Sequence, residues 1–163
     1  MSTATKFTHA ITRKPAQSVE NGLRAEDQGN PSAKTFADHH TQYIAALQET
    51  GAEVVTLAAL EEFPDSVFVE DAALCLPQGA IVTRPGAPSR LGEAAAMAPT
   101  LRSLYSDVRV VEDGFIEGGD ILVTEREILV GLSARTNSAG VASLQALVSD
   151  WGWTVRELSL IHI

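Results

Sequence analysis

Pro64-Asp65-Ser66-Val67-Phe68-Val69-Glu70-Asp71 threads three carboxylates through an apolar run, and Glu117-Gly118-Gly119-Asp120 answers it downstream. In a strand, alternate side chains face opposite ways. Val67 and Val69 would then share a face, while the adjacent Glu70 and Asp71 would point apart. A carboxylate turned toward a core is costly unless a cation or hydrogen-bond donors meet it. Two readings stay open for this segment alone. Either the run ends at Val69 and the acids stand in water, or the acids form a site for a cationic ligand. The second acidic cluster, together with the isolated Arg90 and Arg135, favours the site.

Outward from these motifs, the chain reads as three helices, each followed by a short strand. The first helix spans about Ala33 to Thr50, capped by Ser32 and stopped by Gly51, with Phe36, His40, Tyr43, Ile44 and Leu47 on one face. Glu53–Leu57 is its strand. The second covers roughly Leu91 to Tyr105, where Pro99 predicts a kink or split, and is followed by Val108–Val111. The third starts at Asn137, places Val141, Leu144, Val148 and Trp151 on one stripe, and stops at Gly152 before a strand at Trp153–Val155. Strand pairs Ala72–Leu76 with Ala80–Arg84, and Ile121–Thr124 with Ile128–Gly131, precede the later helices. A β-β-α-β order therefore occurs twice, opened by Asp71 and by Asp120. Such a repeat predicts a propeller or another closed array of units. Phe7–Arg13 with the first helix and strand reads as a similar unit, interrupted by a polar insertion, Lys14 to Pro31, expected to be a loop.

With 163 residues, 45% of them hydrophobic and 20% charged, the chain suits one domain with a sizeable core. A net charge of −9 would repel a phosphate backbone over most of the surface, so nucleic-acid binding is not expected. No apolar run approaches the length of a membrane span, and Met1 to Thr8 lacks a signal-peptide core. One cysteine, Cys75, excludes an internal disulfide and agrees with a reducing, cytoplasmic setting. His9, His39 and His40 show no metal-ligand pattern, and no metal or cofactor is called for. His39 and His40 are expected to be one exposed and one half-buried helix residue.

Five ordered stretches carry a resemblance: Asn21-Gly22-Leu23, Pro64 to Asp71, Thr83 to Arg90, Glu117 to Asp120, and Gly131 to Asn137. Over roughly Phe7 to Glu157 the chain resembles the dimethylarginine dimethylaminohydrolase family of the guanidino-modifying, amidinotransferase-like superfamily. That resemblance implies the pentein fold, an α/β propeller of ββαβ units, with about three of five units present. It also implies a hydrolase that converts Nω-methylated arginine to citrulline and a methylamine, with the methylated arginine as a small-molecule substrate. Full-length homo-oligomer formation stays open.

A guanidinium is a flat cation rimmed by N–H donors, and carboxylates match its edge with charge-assisted bonds worth about 1.5–3 kcal/mol each. Asp65, Glu70 and Asp71 could supply that contact, and the resemblance gives them this role. It likewise assigns Arg90 and Arg135 to the substrate's α-carboxylate and Leu23 to a substrate contact beside a mobile loop. The plainer reading of both arginines is a solvated loop residue or a structural ion pair. Glu117 is placed nearest the reacting carbon, where it would orient the guanidinium and polarise the C–N bond. Gly118 and Gly119 would let the backbone turn and approach a ligand. Phe68 is expected in the core.

The family's thiolate nucleophile and histidine acid/base are not expected in this chain. Cys75 lies in an apolar strand, where a free thiol acts as a small buried hydrophobe. His162 imitates the family's histidine, but its spacing from Gly152 is short. Residues 1–157 therefore read as a partial catalytic domain and 158–163 as a non-native tail. An incomplete array would expose apolar faces lined by Val54, Leu57 and Val155, so association without citrulline release is the expectation. Arginine deiminase or an amidinotransferase is the alternative within this fold. A non-catalytic, carboxylate-rich module binding a divalent cation or arginine is the alternative from another class.

Overall fold

The computed structural model describes residues 7–26 and 29–159. His162 and the end of the expected tail lie outside them. The chain divides into two compact units, one over Thr5–Val69 and one that starts at Glu70.

In the unit Thr5–Val69, strand β1 (His9–Arg13) runs parallel to β2 (Glu53–Leu57), in register from His9↔Glu53 to Arg13↔Leu57. Helix α1 (Ala33–Glu49) makes the crossover that a parallel pair requires. Its start is local chemistry: the Ser32 hydroxyl accepts from Thr35 N at 3.3 Å. Gly51 ends it in the left-handed region at φ 87°. Of the expected apolar stripe, Phe36, His40, Ile44 and Leu47 are half-buried, but Tyr43 is exposed. His39 is exposed, and burial pushes the half-buried His40 imidazole below its ordinary value. Thr12 and Thr56 share a hydroxyl bond across the strands at 3.0 Å, and the buried Arg13 donates to the Ala58 carbonyl at 2.9 Å. The insertion expected to be a plain loop contains a 3-10 turn, Gln17–Asn21. Ala16 and Val19 anchor that stretch by burial, and both carboxylate oxygens of Glu61 accept its first N–H groups.

The second unit holds the repeat. Strands β3 (Ala73–Leu76) and β4 (Gly79–Val82) form a hairpin around Pro77-Gln78. Short helix α2 (Ala98–Leu104) then returns the chain to β5 (Val108–Val110), parallel to β4. The second copy pairs β6 (Ile121–Val123) with β7 (Ile128–Gly131) antiparallel. It crosses over through α3 (Ser138–Val148) to β8 (Val155–Leu158), parallel to β7. The strand orders β3-β4-β5 and β6-β7-β8 are thus the same motif twice. The central strands β4 and β7 supply much of the core. β4 is buried along its whole length, and Ile81, Ile128, Val130, Leu144 and Val148 are at most 1% exposed. Full burial of each such aliphatic side chain contributes about 1.5–3 kcal/mol.

Three expectations need correction here. The second helix does not begin at Leu91: Pro88–Arg90 and Ala94–Met97 are 3-10 turns, and Pro99 sits in the first turn of α2. Proline lacks the N–H that a helix interior requires, so it opens the helix instead of kinking it. The last strand is not Trp153–Val155. Trp153 N closes the helix end by donating to Val148 O, its indole donates to Gln78 Oε1 at 3.2 Å, and pairing with β7 begins at Val155. Leu158, the first residue of the expected tail, belongs to β8, and its carbonyl accepts from Leu132 N at 2.9 Å. Finally, the run around Val67 and Val69 is no strand. Turns lead from Pro64 into a 3-10 turn, Val69–Ala72.

Val54, Leu57 and Val155 are half-buried, whereas Val110 and Leu122 stand out at 41% and 62% exposure. Among the described residues no helix is long and apolar enough to cross a membrane.

Candidate active site

In the unit that starts at Glu70, Glu70-Asp71 lies side by side with Gly118-Gly119 of the second acidic motif. A Cβ on Gly118 would stand 1.8 Å from the Glu70 carbonyl oxygen, so only glycine lets the two loops approach this closely. Gly119 N donates to Asp71 Oδ1 at 3.0 Å, and the Thr83 hydroxyl donates to the Asp71 carbonyl at 2.6 Å. The glycine pair therefore first serves loop-to-loop packing. Glu70 itself is exposed and Asp71 half-buried.

Asp71 Oδ2 accepts from Arg90 Nη1 at 2.6 Å. Arg90 ends the 3-10 turn Pro88–Arg90 and is 3% exposed. Its Nε donates to Glu93 Oε1 at 2.9 Å, and its Nη2 meets the same oxygen. Burial works against the charge, but the bonds to Glu93 and Asp71 prevail and hold the guanidinium above its ordinary pKa. Arg90 is thus a buried ion-pair member, not a solvated loop residue.

Glu117 is 1% exposed. Its Oε1 lies 2.8 Å from Arg135 Nε, while Oε2 is buried and meets no hydrogen-bond partner among the described residues. Burial pushes this carboxyl above its usual range. Asp71 adds to the push, and Arg135 opposes it. The loops that carry the pair are tied by hydroxyls. Asp120 Oδ2 accepts from Ser133 Oγ at 2.7 Å and from Thr136 Oγ1 at 2.6 Å; Thr136 Oγ1 in turn accepts from Glu117 N at 3.2 Å. Ser133 Oγ also accepts from Arg135 N at 3.0 Å. Arg135 itself remains about half exposed, at 49% for its side chain.

Because Glu117 is raised, between its ordinary 4.5 and its folded value the folded protein binds more protons than the unfolded chain. Stability from this group therefore falls as pH rises through that window, and the deficit persists above it. Glu117→Gln is expected to raise the melting temperature at neutral pH and to give no advantage below the window. Melting curves across pH check this, and an advantage that does not change with pH would contradict it.

Asp65 and Leu23 belong to the unit Thr5–Val69. Asp65 is buried, and its two oxygens accept from Leu23 N at 3.0 and 3.1 Å. A Cβ on Gly22 would lie 2.7 Å from Asp65 Oδ1, so this glycine permits close approach to the carboxylate. Leu23, Asp65, Phe36 and Phe68 line a cavity of ≈ 700 Å³. Phe68 is 40% exposed and stands edge-on to Phe36 with ring centroids 6.5 Å apart, which corrects its expected place in the core.

Cys75 also departs from expectation. Leu74 and Leu76 turn inward along β3, so the alternation of a strand leaves Cys75 exposed. Desolvation nonetheless pushes the thiol up, against a hydrogen bond with Tyr105. A raised thiol is a poor nucleophile.

Sequence reasoning missed Glu93 and Thr136. Arg90-x-x-Glu93 has the spacing of neighbours on one helical face, which could have revealed the first. No local pattern marks the Thr136 hydroxyl as a hub.

Two ββαβ units that carry clustered carboxylates and arginines place the chain in the α/β class of fold called pentein. A family profile described as "N,N dimethylarginine dimethylhydrolase, eukaryotic" matches residues 8–156, and the chain belongs to this family. It is 38% identical to the N(G),N(G)-dimethylarginine dimethylaminohydrolase of Pseudomonas aeruginosa over 96% of this chain and 64% of the relative. It is 35% identical to the Streptomyces coelicolor protein of the same name, over 88% of this chain and 56% of that one. The structure of a Pseudomonas aeruginosa variant complexed with citrulline superposes with a TM-score of 0.92 at 38% identity, covering 96% of this chain and 62% of that chain. The N-terminal domain of a cyanobacterial arginine dihydrolase shares the fold, with a TM-score of 0.77 at 20% identity, over 93% of this chain and 57% of that one. The chain therefore spans somewhat under two thirds of the relatives it matches.

Proposed function

We propose that these residues bind an Nω-methylated arginine for a hydrolase that releases citrulline and a methylamine. The observation that carries the reading is Glu117 Oε2, a buried carboxylate oxygen beside Asp71 and Arg135 that has no hydrogen-bond donor among the described residues. A guanidinium N–H meets that need, since a buried acceptor left unmade costs about 1–3 kcal/mol. Family membership and the citrulline complex of the Pseudomonas aeruginosa relative support this ligand class.

In this reading Glu117 orients the guanidinium and polarises its C–N bond. Glu70 and Asp71 take its edge, and Arg90 with Arg135 receives the α-carboxylate, while Asp65 and Leu23 are assigned ligand contacts within their own unit. Positioning, not nucleophilic attack, is what we assign to the described residues. The single cysteine fits a cytoplasmic setting.

Calorimetry on the purified protein tests this. Dimethylarginine should bind, while calcium and magnesium should not. Arg135→Ala should weaken dimethylarginine by about 1.5–3 kcal/mol, the worth of a charge-assisted bond, beyond any change in methylguanidine, which feels only the altered pairing of Glu117. Equal losses for the two ligands would remove Arg135 from the carboxylate site.

A further inference from the structure

Glu93 carries a charge in the interior, at 2% exposure, and has no part in the reading above. Its Oε1 takes both Nε and Nη2 of Arg90, while Asp71 takes Nη1. A guanidinium is planar, so anchors on two of its edges fix its plane as well as its place. Taking Glu93 away would remove the bonds at Nε and Nη2, the two that fix the plane of the guanidinium.

Two carboxylates already share this guanidinium. Arg90 therefore offers a third carboxylate direction more than field, and the half-exposed Arg135 supplies the less compensated cation. We infer that Glu93 is a positioning residue, which locks the Arg90 guanidinium in the orientation that receives the ligand's α-carboxylate. This rests on the role given above to Arg90.

The inference separates two substitutions at one site. Glu93→Gln keeps an acceptor oxygen at the same reach and removes a negative charge, so it should preserve dimethylarginine affinity within about threefold or tighten it. Glu93→Ala removes the anchor and should weaken dimethylarginine about tenfold or more, while methylguanidine, which has no α-carboxylate, stays within about twofold. In nitrogen-edited NMR spectra the Arg90 Nε–H signal should be sharp and slow to exchange in the unmodified protein and in Glu93→Gln. It should broaden or vanish in Glu93→Ala, with the backbone amide pattern retained.

A purely structural role predicts equal losses for both ligands in step with lost stability, and that result would overturn the inference. So would an Arg90 Nε–H signal that Glu93→Ala leaves untouched. If the unmodified protein binds no dimethylarginine, the proposed ligand falls and this inference about the α-carboxylate falls with it. A protein that binds the ligand but treats Glu93→Ala and Glu93→Gln alike overturns the role of Glu93 alone.

Discussion

Arg90→Met is expected to destabilise the unit that starts at Glu70 by about 3–5 kcal/mol, enough to shift its urea midpoint far down. Arg90 is 3% exposed and stands between Asp71 and Glu93. Removing it leaves Glu93, at 2% exposure, facing a methionine thioether in place of a cation. A buried ion pair contributes little beyond a well-packed apolar pair, but breaking one member leaves an uncompensated charge, and that asymmetry sets the magnitude. The double variant Arg90→Met/Glu93→Leu should therefore regain much of the loss. Equilibrium urea denaturation of the three proteins is the measurement. A double variant no more stable than Arg90→Met would show that packing, not charge, holds this part of the unit.

Asp71→Asn should weaken dimethylarginine binding by about 2–5 kcal/mol, measured by calorimetry, because it takes a formal charge away from a desolvated cation. The geometry adds a second effect. Both oxygens of Asp71 are already engaged, Oδ1 by Gly119 N at 3.0 Å and Oδ2 by Arg90 Nη1 at 2.6 Å. An asparagine has one acceptor oxygen for these two donors, and its amide N–H would face one of them. Part of the affinity loss will then come from a displaced Gly118-Gly119 turn. Amide shifts at Gly119 should move in the variant even without ligand, and an unaltered affinity would take Asp71 out of the guanidinium contact.

Much of the secondary structure could be read because its causes are local. Ser32 and Asn137 cap their helices with their own side chains, Gly51 and Gly152 stop them with positive φ, and the hairpin at Pro77-Gln78 sits where turn residues interrupt two apolar runs. The twofold ββαβ order was legible for the same reason, since periodicity and turn chemistry act within a few residues. Strand ends were less so. β8 begins at Val155 and not at Trp153, because a strand starts where a partner offers bonds, and Ile128 and its neighbours on β7 set that point.

At the site, the sequence by itself determined the inventory: Asp71, Arg90, Glu117 and Arg135, each within a motif whose residue types match a guanidinium or a carboxylate. Tertiary structure decided their states. Glu117 lost water and kept Oε2 without a hydrogen-bond partner among the described residues, Arg90 disappeared between Asp71 and Glu93, Glu70 stayed in solvent, and Asp65 bonded to Leu23 N within its own unit. Asp120, Ser133 and Thr136 became one hydroxyl–carboxylate network because β6, β7 and the loop before α3 bring them together. Charge and donor type belong to a residue, but desolvation and pairing depend on what long-range packing places within a few ångströms of it, and those set a carboxylate's pKa and its use.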